Sequence, residues 1–328
     1  MKKSMFILAA LSALAAGANA QSSVTIYGLV DAGVQKGNGG SATNPGAPST
    51  KAWNVAPAYA NRLGLRGNED LGGGMSAQFQ LEHRFDIDTG AITNAASFWQ
   101  GASTVQLTSA GLGSVYLGRD YTPIFWLTLR ADPFDWSGVG RMDTATWAGF
   151  RAPNYGQGAG IRTSNTVGYK SPNLGGLTLQ AAVGLSESTG AGRDNGFNVE
   201  YKGGPIYGGV GYEKVSSGTT DGDSLVAVTG AYDFGYVRPI VLFSRAKVGT
   251  ATNKFMSIAA TAPLGSGQLK VAYYRLDPEG SNNTQSKLGL GYNYFLSKRT
   301  TIYADLGAAR EDTKTNNNAY SIGLRHTF

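Results

Sequence analysis

The sequence predicts an all-β fold, a single transmembrane antiparallel β-barrel of about sixteen strands, and three observations predict it. Segments of about ten residues carry apolar or aromatic side chains at every second position, with small or polar residues between them, which is the period of a strand. Short turns alternate with longer polar loops along the chain. Beyond the first twenty residues nothing approaches the ~18 consecutive apolar residues of a membrane helix.

The chain opens with Lys2 and Lys3, an apolar stretch from Met5 to Ala16 and the small-residue run Gly17-Ala18-Asn19-Ala20. This is the pattern of a secretory signal peptide, residues 1–20, cut after Ala20, and the stretch is too short for a membrane anchor. Residues 21–328 then form one domain. In the first strand Val24, Ile26 and Val30 share a face and Asp31 takes the other. Leu177–Leu185 and Lys287–Tyr294 alternate more cleanly. Tyr236–Val248 and Asn253–Leu264 alternate weakly, and Pro239 is awkward for a fully paired strand.

A soluble sandwich also alternates. Three features favour the membrane barrel. Short turns such as Asp70–Gly74, Pro172–Gly176 and Leu296–Thr300 lie between long loops, as short periplasmic turns and long external loops do. Aromatics gather at strand ends, as in Tyr232/Phe234, Tyr273/Tyr274 and Tyr292/Tyr294, where an interfacial girdle needs them. The less apolar face carries Gly, Ser, Thr, Asn and charged residues, which suits a wet lumen. One interval, from about Arg119 to Gly160, shows no clear strand. Its many aromatics argue that it packs against something instead of lying disordered.

Composition narrows the function. Without Met1–Ala20, which hold two of the basic residues, Lys+Arg fall from 28 to 26 against 22 Asp+Glu. That small excess is scattered, so nucleic acid is not an expected partner. No cysteine is present, which removes thiolate and cysteine-metal chemistry, and no cofactor or metal is expected. Asp221 and Asp223 are too ordinary a pair to count as a calcium site. An enzyme is not expected either, because His83 and His326, the two histidines, both have lipid-facing parity. Glycine, 47 of 328 residues, is about twice its usual share.

Several phrases in order along the chain resemble the trimeric general porins of beta-proteobacteria: Ser23-Val24-Thr25-Ile26-Tyr27-Gly28, Arg62–Gly72, Val115–Asp120, Ser171-Pro172-Asn173, Leu296–Thr300 and the ending Gly323–Phe328. The resemblance implies an outer-membrane homotrimer of sixteen-stranded barrels. It also implies a third external loop, here 119–160, folded into the lumen as a constriction. The expected function is a water-filled, weakly anion-selective channel for ions and small hydrophilic solutes. The expected surroundings are outer-membrane lipid and lipopolysaccharide. Tyr320, Ile322, Leu324 and Phe328 share one face of the last strand, which resembles the signal read by the barrel assembly machinery.

Side-chain parity nominates the residues that line the passage. Leu63 and Leu65 face lipid, so Arg62 and Arg66 point inward; Ala77, Phe79, Leu81 and Phe85 face out, so Glu82 and Arg84 point inward. Val167 and Tyr169 do the same for Arg162 and Lys170. The long loop supplies Asp132, Asp135 and Asp143 with Arg130, Arg141 and Arg151. Arg62 and Arg162 match the basic cluster of the similar porins, whereas Gln100-Gly101-Ala102 stands where relatives often carry arginines, implying weaker selectivity. Trp126, Trp136 and Trp147 suggest an alternative, a stacking surface that prefers aromatic carboxylates.

Overall fold

The computed structural model describes residues 23–37, 52–142, 147–150, 161–186, 192–280, 284–312 and 316–328. The expected signal peptide, Asp143 and Arg151 lie outside the described residues. The strands are β1 (Ser23–Lys36), β2 (Trp53–Ala56), β3 (Asn61–Gly72), β4 (Met75–Phe85), β5 (Ala102–Ser109), β6 (Gly113–Tyr121), β7 (Arg162–Lys170), β8 (Leu177–Gly184) and β9 (Arg193–Gly203). They continue as β10 (Ile206–Ser216), β11 (Ser224–Tyr232), β12 (Arg238–Val248), β13 (Ala251–Leu264), β14 (Gly267–Asp277), β15 (Gln285–Phe295), β16 (Thr300–Glu311) and β17 (Asn317–Thr327). From β3 onward each pairs antiparallel with the next, and β17 returns to β1 with Leu29 opposite Thr327 and Lys36 opposite Tyr320. The sheet has no free edge. The short β2 lies against Gly33–Lys36 and β3 against Ser23–Leu29, so the two share one position beside β1 and the barrel is sixteen-stranded.

Alternation decides which face meets lipid. Val24, Ile26, Leu63, Val105 and Leu107 stand out of the barrel, while Asp31, Glu82 and Arg84 are buried within it. Tight turns close one end: Gly72, Gly73 and Gly74 all have positive φ (78°, 60° and 78°), a conformation that side-chain-bearing residues seldom adopt. Both termini of the described barrel lie at this end, where Phe328 and Gly28 exchange backbone hydrogen bonds of 3.0 and 3.1 Å.

The two weakly alternating segments are long, fully formed strands, β12 and β13. Their alternation is faint because both faces are apolar: Val241 and Phe243 face out, while Ile240, Leu242, Ala246 and Phe255 are buried inside against the aromatic loop. On this side the barrel interior is a dry core, not a wet wall. Pro239 pairs with Ala260 of β13 but lies beyond the β11 ladder, which begins at Ile240, so its missing N–H leaves no gap there. The aromatic pair Tyr273/Tyr274 also divides. Tyr273 faces out, but Tyr274 is fully buried and donates to Asp132 at 2.9 Å.

The long interval begins later than expected. Arg119, Asp120 and Tyr121 belong to β6, and a helix, α1 (Pro123–Ala131), follows at once. Pro123 opens it, where a missing N–H costs nothing. Ile124, Phe125, Leu127, Thr128 and Ala131 form its buried face. Arg130 occupies the last turn, favourable for the helix dipole. At nine residues, with aromatics on several sides, the helix leaves little periodic signal in the sequence.

Candidate functional site: a constricted pore

Glycines facing the lumen make the space into which the loop folds. On β10, Cβ atoms added to Gly209 and Gly211 would collide with Leu127 and press on Ile124 of α1. On β15 and β16, the Cβ positions of Gly289 and Gly307 are taken by the carbonyl oxygens of Gly140 and Val139, and that of Gly291 is crowded by Phe134. The loop therefore lies flush against the wall on β9–β12 and again on β14–β16. Polar clamps fix it: Gly138 N donates to Ala58 O at 2.9 Å, Lys287 Nζ to Arg141 O at 2.6 Å, and Arg130 pairs with Glu200 at 2.9 Å.

Asp132 does not face the passage. It is buried and accepts from the backbone N–H groups of Phe134, Trp136 and Met142 at 3.0–3.2 Å as well as from Tyr274. Its role in this geometry is to cap the turn after α1. Burial pushes its carboxyl up to about 6, those donors notwithstanding. Asp135 sits in the left-handed region (φ 54°) and keeps access to the lumen, with Tyr59 Oη donating to it at 3.2 Å. Its depth raises its pKa, against the nearby positive charges of Lys270 and Arg325.

Across from the loop, β3, β4 and β7 assemble a basic cluster. Arg62 and Arg84 are direct cross-strand partners, an arrangement that like charges disfavour, and Glu82 sits beside both. Glu82 lies 2.5 Å from Arg84 Nη2 and 4.0 Å from Arg62 Nη1, and Tyr27 Oη donates to it at 3.2 Å. Arg162 lies over the Tyr121 ring at 3.8 Å, bonds the Tyr121 hydroxyl and donates to Gly101 O at 2.9 Å. Arg84 also reaches Tyr121 Oη, at 3.4 Å. Arg62 and Arg84 thus share one carboxylate, with Arg162 beside them and Arg119 next to Arg162, its Nε donating to Gln100 O at 3.1 Å. Arg62 keeps 29% of its side chain exposed against 8% for Arg84, so Arg62 is the charge a passing solute meets.

The other expected residues fall elsewhere along the bore. Arg66 lies over Tyr27 toward the tight-turn end, in a polar recess of about 330 Å³ with Ser23, Thr25, Gln78, Gln80 and Gln106. Lys170 pairs with Asp120 at 3.3 Å and covers Tyr116. Lys270 with Asp305 (3.0 Å), Arg325 over Tyr59 (4.0 Å) and Asp31 with Tyr303 (2.8 Å) form a second polar group, which the sequence reading missed. Extending side-chain parity to the last strands finds it, since Arg325 alternates with Leu324 and Lys270 with Leu269 and Val271.

The tryptophans pack against the loop's own core, Trp147 buried and Trp126 and Trp136 partly so. Tyr121 stacks on Phe125 at 3.9 Å, Phe125 meets Trp136 at 5.2 Å, Trp136 meets Trp147 at 6.4 Å, and Trp147 is buried. They form a spine that holds the loop, and comparison with known proteins lends the aromatic-carboxylate alternative no support. His83 is capped on the outer face by Phe98, stacked at 4.1 Å, and His326 bonds Thr300 at 2.9 Å. Asp221 and Asp223 accept from the backbone N–H groups of Ser217 and Gly249 as loop caps.

Comparisons with known proteins agree on one family. The family model described as Gram-negative porin matches residues 8–314. Outer membrane porin protein 32 of Delftia acidovorans is 35% identical, over 99% of this chain and 93% of its own. An outer membrane porin protein of Bordetella pertussis is 26% identical over the whole of both chains. Among solved structures, an anion-selective porin from Comamonas acidovorans superposes with a TM-score of 0.80 at 28% identity, covering 94% of this chain and all of the other.

Proposed function

The chain belongs to the Gram-negative porin family, an outer-membrane channel for passive diffusion, and from that premise we propose that Arg62, Arg84 and Arg162 make its narrowest passage weakly favourable to small anions. The observation that carries this reading is the count of charges in the cluster. Glu82 offsets one of the guanidinium groups, Arg119 stands beside Arg162 as a further positive charge, and Asp135 on the facing loop has Lys270 and Arg325 as its neighbouring charges instead. In a narrow bore bounded by low-dielectric walls, a net positive ring raises the local anion concentration without binding any one anion tightly. The anion selectivity of the Comamonas relative supports the sign. Gln100-Gly101-Ala102 supports a modest strength, because no further arginine joins the cluster from that segment.

The same reading gives the chain a signal peptide ending at Ala20, a homotrimeric state, assembly by the barrel machinery and a lipopolysaccharide-bearing outer leaflet. A trimer is supported by the outward faces of β1 and β3–β5, where Val24, Ile26, Leu63, Phe79 and Val105 are exposed and no lysine or arginine faces out on β3–β5.

The test is the reversal potential of the refolded channel in a planar bilayer under a potassium chloride gradient. The potential should show chloride crossing more readily than potassium, and Arg62→Ala should move it toward zero. A potential of cation-preferring sign, or one that Arg62→Ala leaves unchanged, would remove the arginine cluster from the selectivity filter.

A further inference from the structure

Between β2 and β3 the chain turns into the barrel, where Ala58 and Tyr59 are buried, and three successive residues each hold something different. Ala58 N donates to Asp31 Oδ1 at 2.7 Å and to Tyr303 Oη at 3.3 Å, while Ala58 O accepts from Gly138 N of the loop. The Tyr59 ring lies under Arg325 at 4.0 Å, and its hydroxyl donates to Asp135. Ala60 O accepts from Arg62 Nε and Arg84 Nη1, both at 3.3 Å. Ala58, Tyr59 and Ala60 thus form a strap from the constriction loop to the arginine cluster.

The arginines depend on this strap. Arg62 and Arg84 are cross-strand partners, and like charges so placed need acceptors between them. Glu82 is one. Ala60 O is the other, a carbonyl whose two lone pairs serve both guanidinium groups. Glu82 lies 4.0 Å from Arg62, at the outer limit of an ion pair, so the bond to Ala60 O is the closer of these two restraints. Ala60 itself is exposed, and its place is set two residues upstream at buried Ala58.

The anchor of Ala58 is Asp31. It is fully buried, its own N–H donates to Asn61 Oδ1 at 2.5 Å, and Tyr303 Oη donates to its Oδ1 at 2.8 Å. Gly33 and Gly323 leave the space that Tyr303 Oη fills, since a Cβ at either position would collide with it. Arg325 stands opposite Asp31 in the register, so the carboxylate also contributes a charge beside the passage.

We infer that Asp31, with Tyr303 behind it, is a positioning residue for the selectivity cluster. It fixes Ala58, the strap fixes Ala60 O, and Ala60 O holds the Arg62 guanidinium in the path of passing anions. This rests on the arginine-cluster reading above.

Reversal potentials of Asp31→Asn and Asp31→Ala under a potassium chloride gradient test it. Both variants remove the same charge from beside Arg325, so electrostatics through space moves them alike. Asp31→Asn alone keeps an oxygen for Ala58 N and Tyr303 Oη. The chloride-to-potassium permeability ratio of Asp31→Ala should lie about twofold below that of Asp31→Asn, the change expected when the Arg62 charge recedes from ~8 to ~12 Å from the ions. On an Arg62→Ala background the difference should vanish, because Arg84 stays held by Glu82 at 2.5 Å. A ratio for Asp31→Ala at or above that of Asp31→Asn, or a difference that persists without Arg62, would overturn the inference. Tyr303→Phe changes no charge and covers the case in which Asp31→Ala does not refold. Its ratio should fall below that of the unaltered channel, and a ratio at or above it would count against the anchor. An unaltered channel without chloride preference fails the cluster reading itself, whereas a chloride-preferring channel in which the two Asp31 variants match fails this inference alone.

Discussion

The carbonyl oxygen of Val139 occupies the place where a Cβ on Gly307 would stand. The wall is notched there, and the loop backbone fills the notch. Gly307→Val should therefore push the 139–140 segment off β16 and into the lumen. Overpacking of this kind costs ~1–3 kcal/mol, enough to shift the loop without unfolding the barrel. Single-channel conductance should fall. Gly208→Ala is the control, since an added Cβ there meets only Thr229 O, at 3.7 Å, and conductance should stay as it was.

Glu82 moderates the arginines beside it. Replacing it by glutamine removes the one carboxylate bonded to Arg84 and adjacent to Arg62, leaving the positive charge of the cluster one unit higher. A unit charge ~8 Å from a passing ion, in a passage still largely aqueous, is worth ~0.5 kcal/mol. This energy has opposite sign for chloride and potassium, so Glu82→Gln should raise the chloride-to-potassium permeability ratio about fivefold, and Arg62→Ala should lower it by a similar factor. A change of the same sign in both variants would show that the cluster acts through shape, not charge.

The barrel is legible in the sequence because lipid enforces a strict rule: every second residue of a spanning strand must be apolar. The same rule is enough to put Arg62, Arg66, Glu82 and Arg84 on the inner face. It weakens where a second apolar surface lies inside, as at Ile240 and Leu242 under the aromatic loop. Parity gives a direction but not a partner, which is why Asp132 is expected in the passage and is found capping a turn. The high glycine content is visible in the composition. Its meaning, inward notches at Gly209, Gly289 and Gly307 that admit a loop, depends on contacts between residues far apart in the chain.

Asp132 gives the loop a pH dependence whose sign follows from its burial. Its folded value is raised to about 6, above the ordinary value of 3.8, so the ionised form is the costlier one in the native loop. The loop should be held more firmly as pH falls from about 7 through 6, with the gain complete near the unfolded value of ~3.9 and worth at most ~3 kcal/mol. Brief closures of the channel should become rarer over this window, and Asp132→Asn should abolish the trend. Closures that grow more frequent on acidification in the unaltered protein, but not in Asp132→Asn, would reverse the assignment.

Phe328 serves two ends that one substitution can separate. Its backbone exchanges two hydrogen bonds with Gly28, and its ring fills the space beside that glycine at the seam between β17 and β1. Phe328→Ala keeps the backbone bonds and removes the ring, which is 44% exposed as a residue and so contributes at most ~1–2 kcal/mol of burial. The seam also holds a ladder from Leu29–Thr327 to Lys36–Tyr320, so the refolded barrel should melt within a few degrees of the parent. Its yield in the outer membrane should fall much further, several-fold, if the ring is what the assembly machinery recognises. Quantifying the folded barrel in outer-membrane fractions beside detergent refolding yields distinguishes the two roles. Equal losses in both would mean that Phe328 closes the barrel and signals nothing, whereas a loss confined to the cell would make the outward row of Tyr320, Ile322, Leu324 and Phe328 a recognition strand.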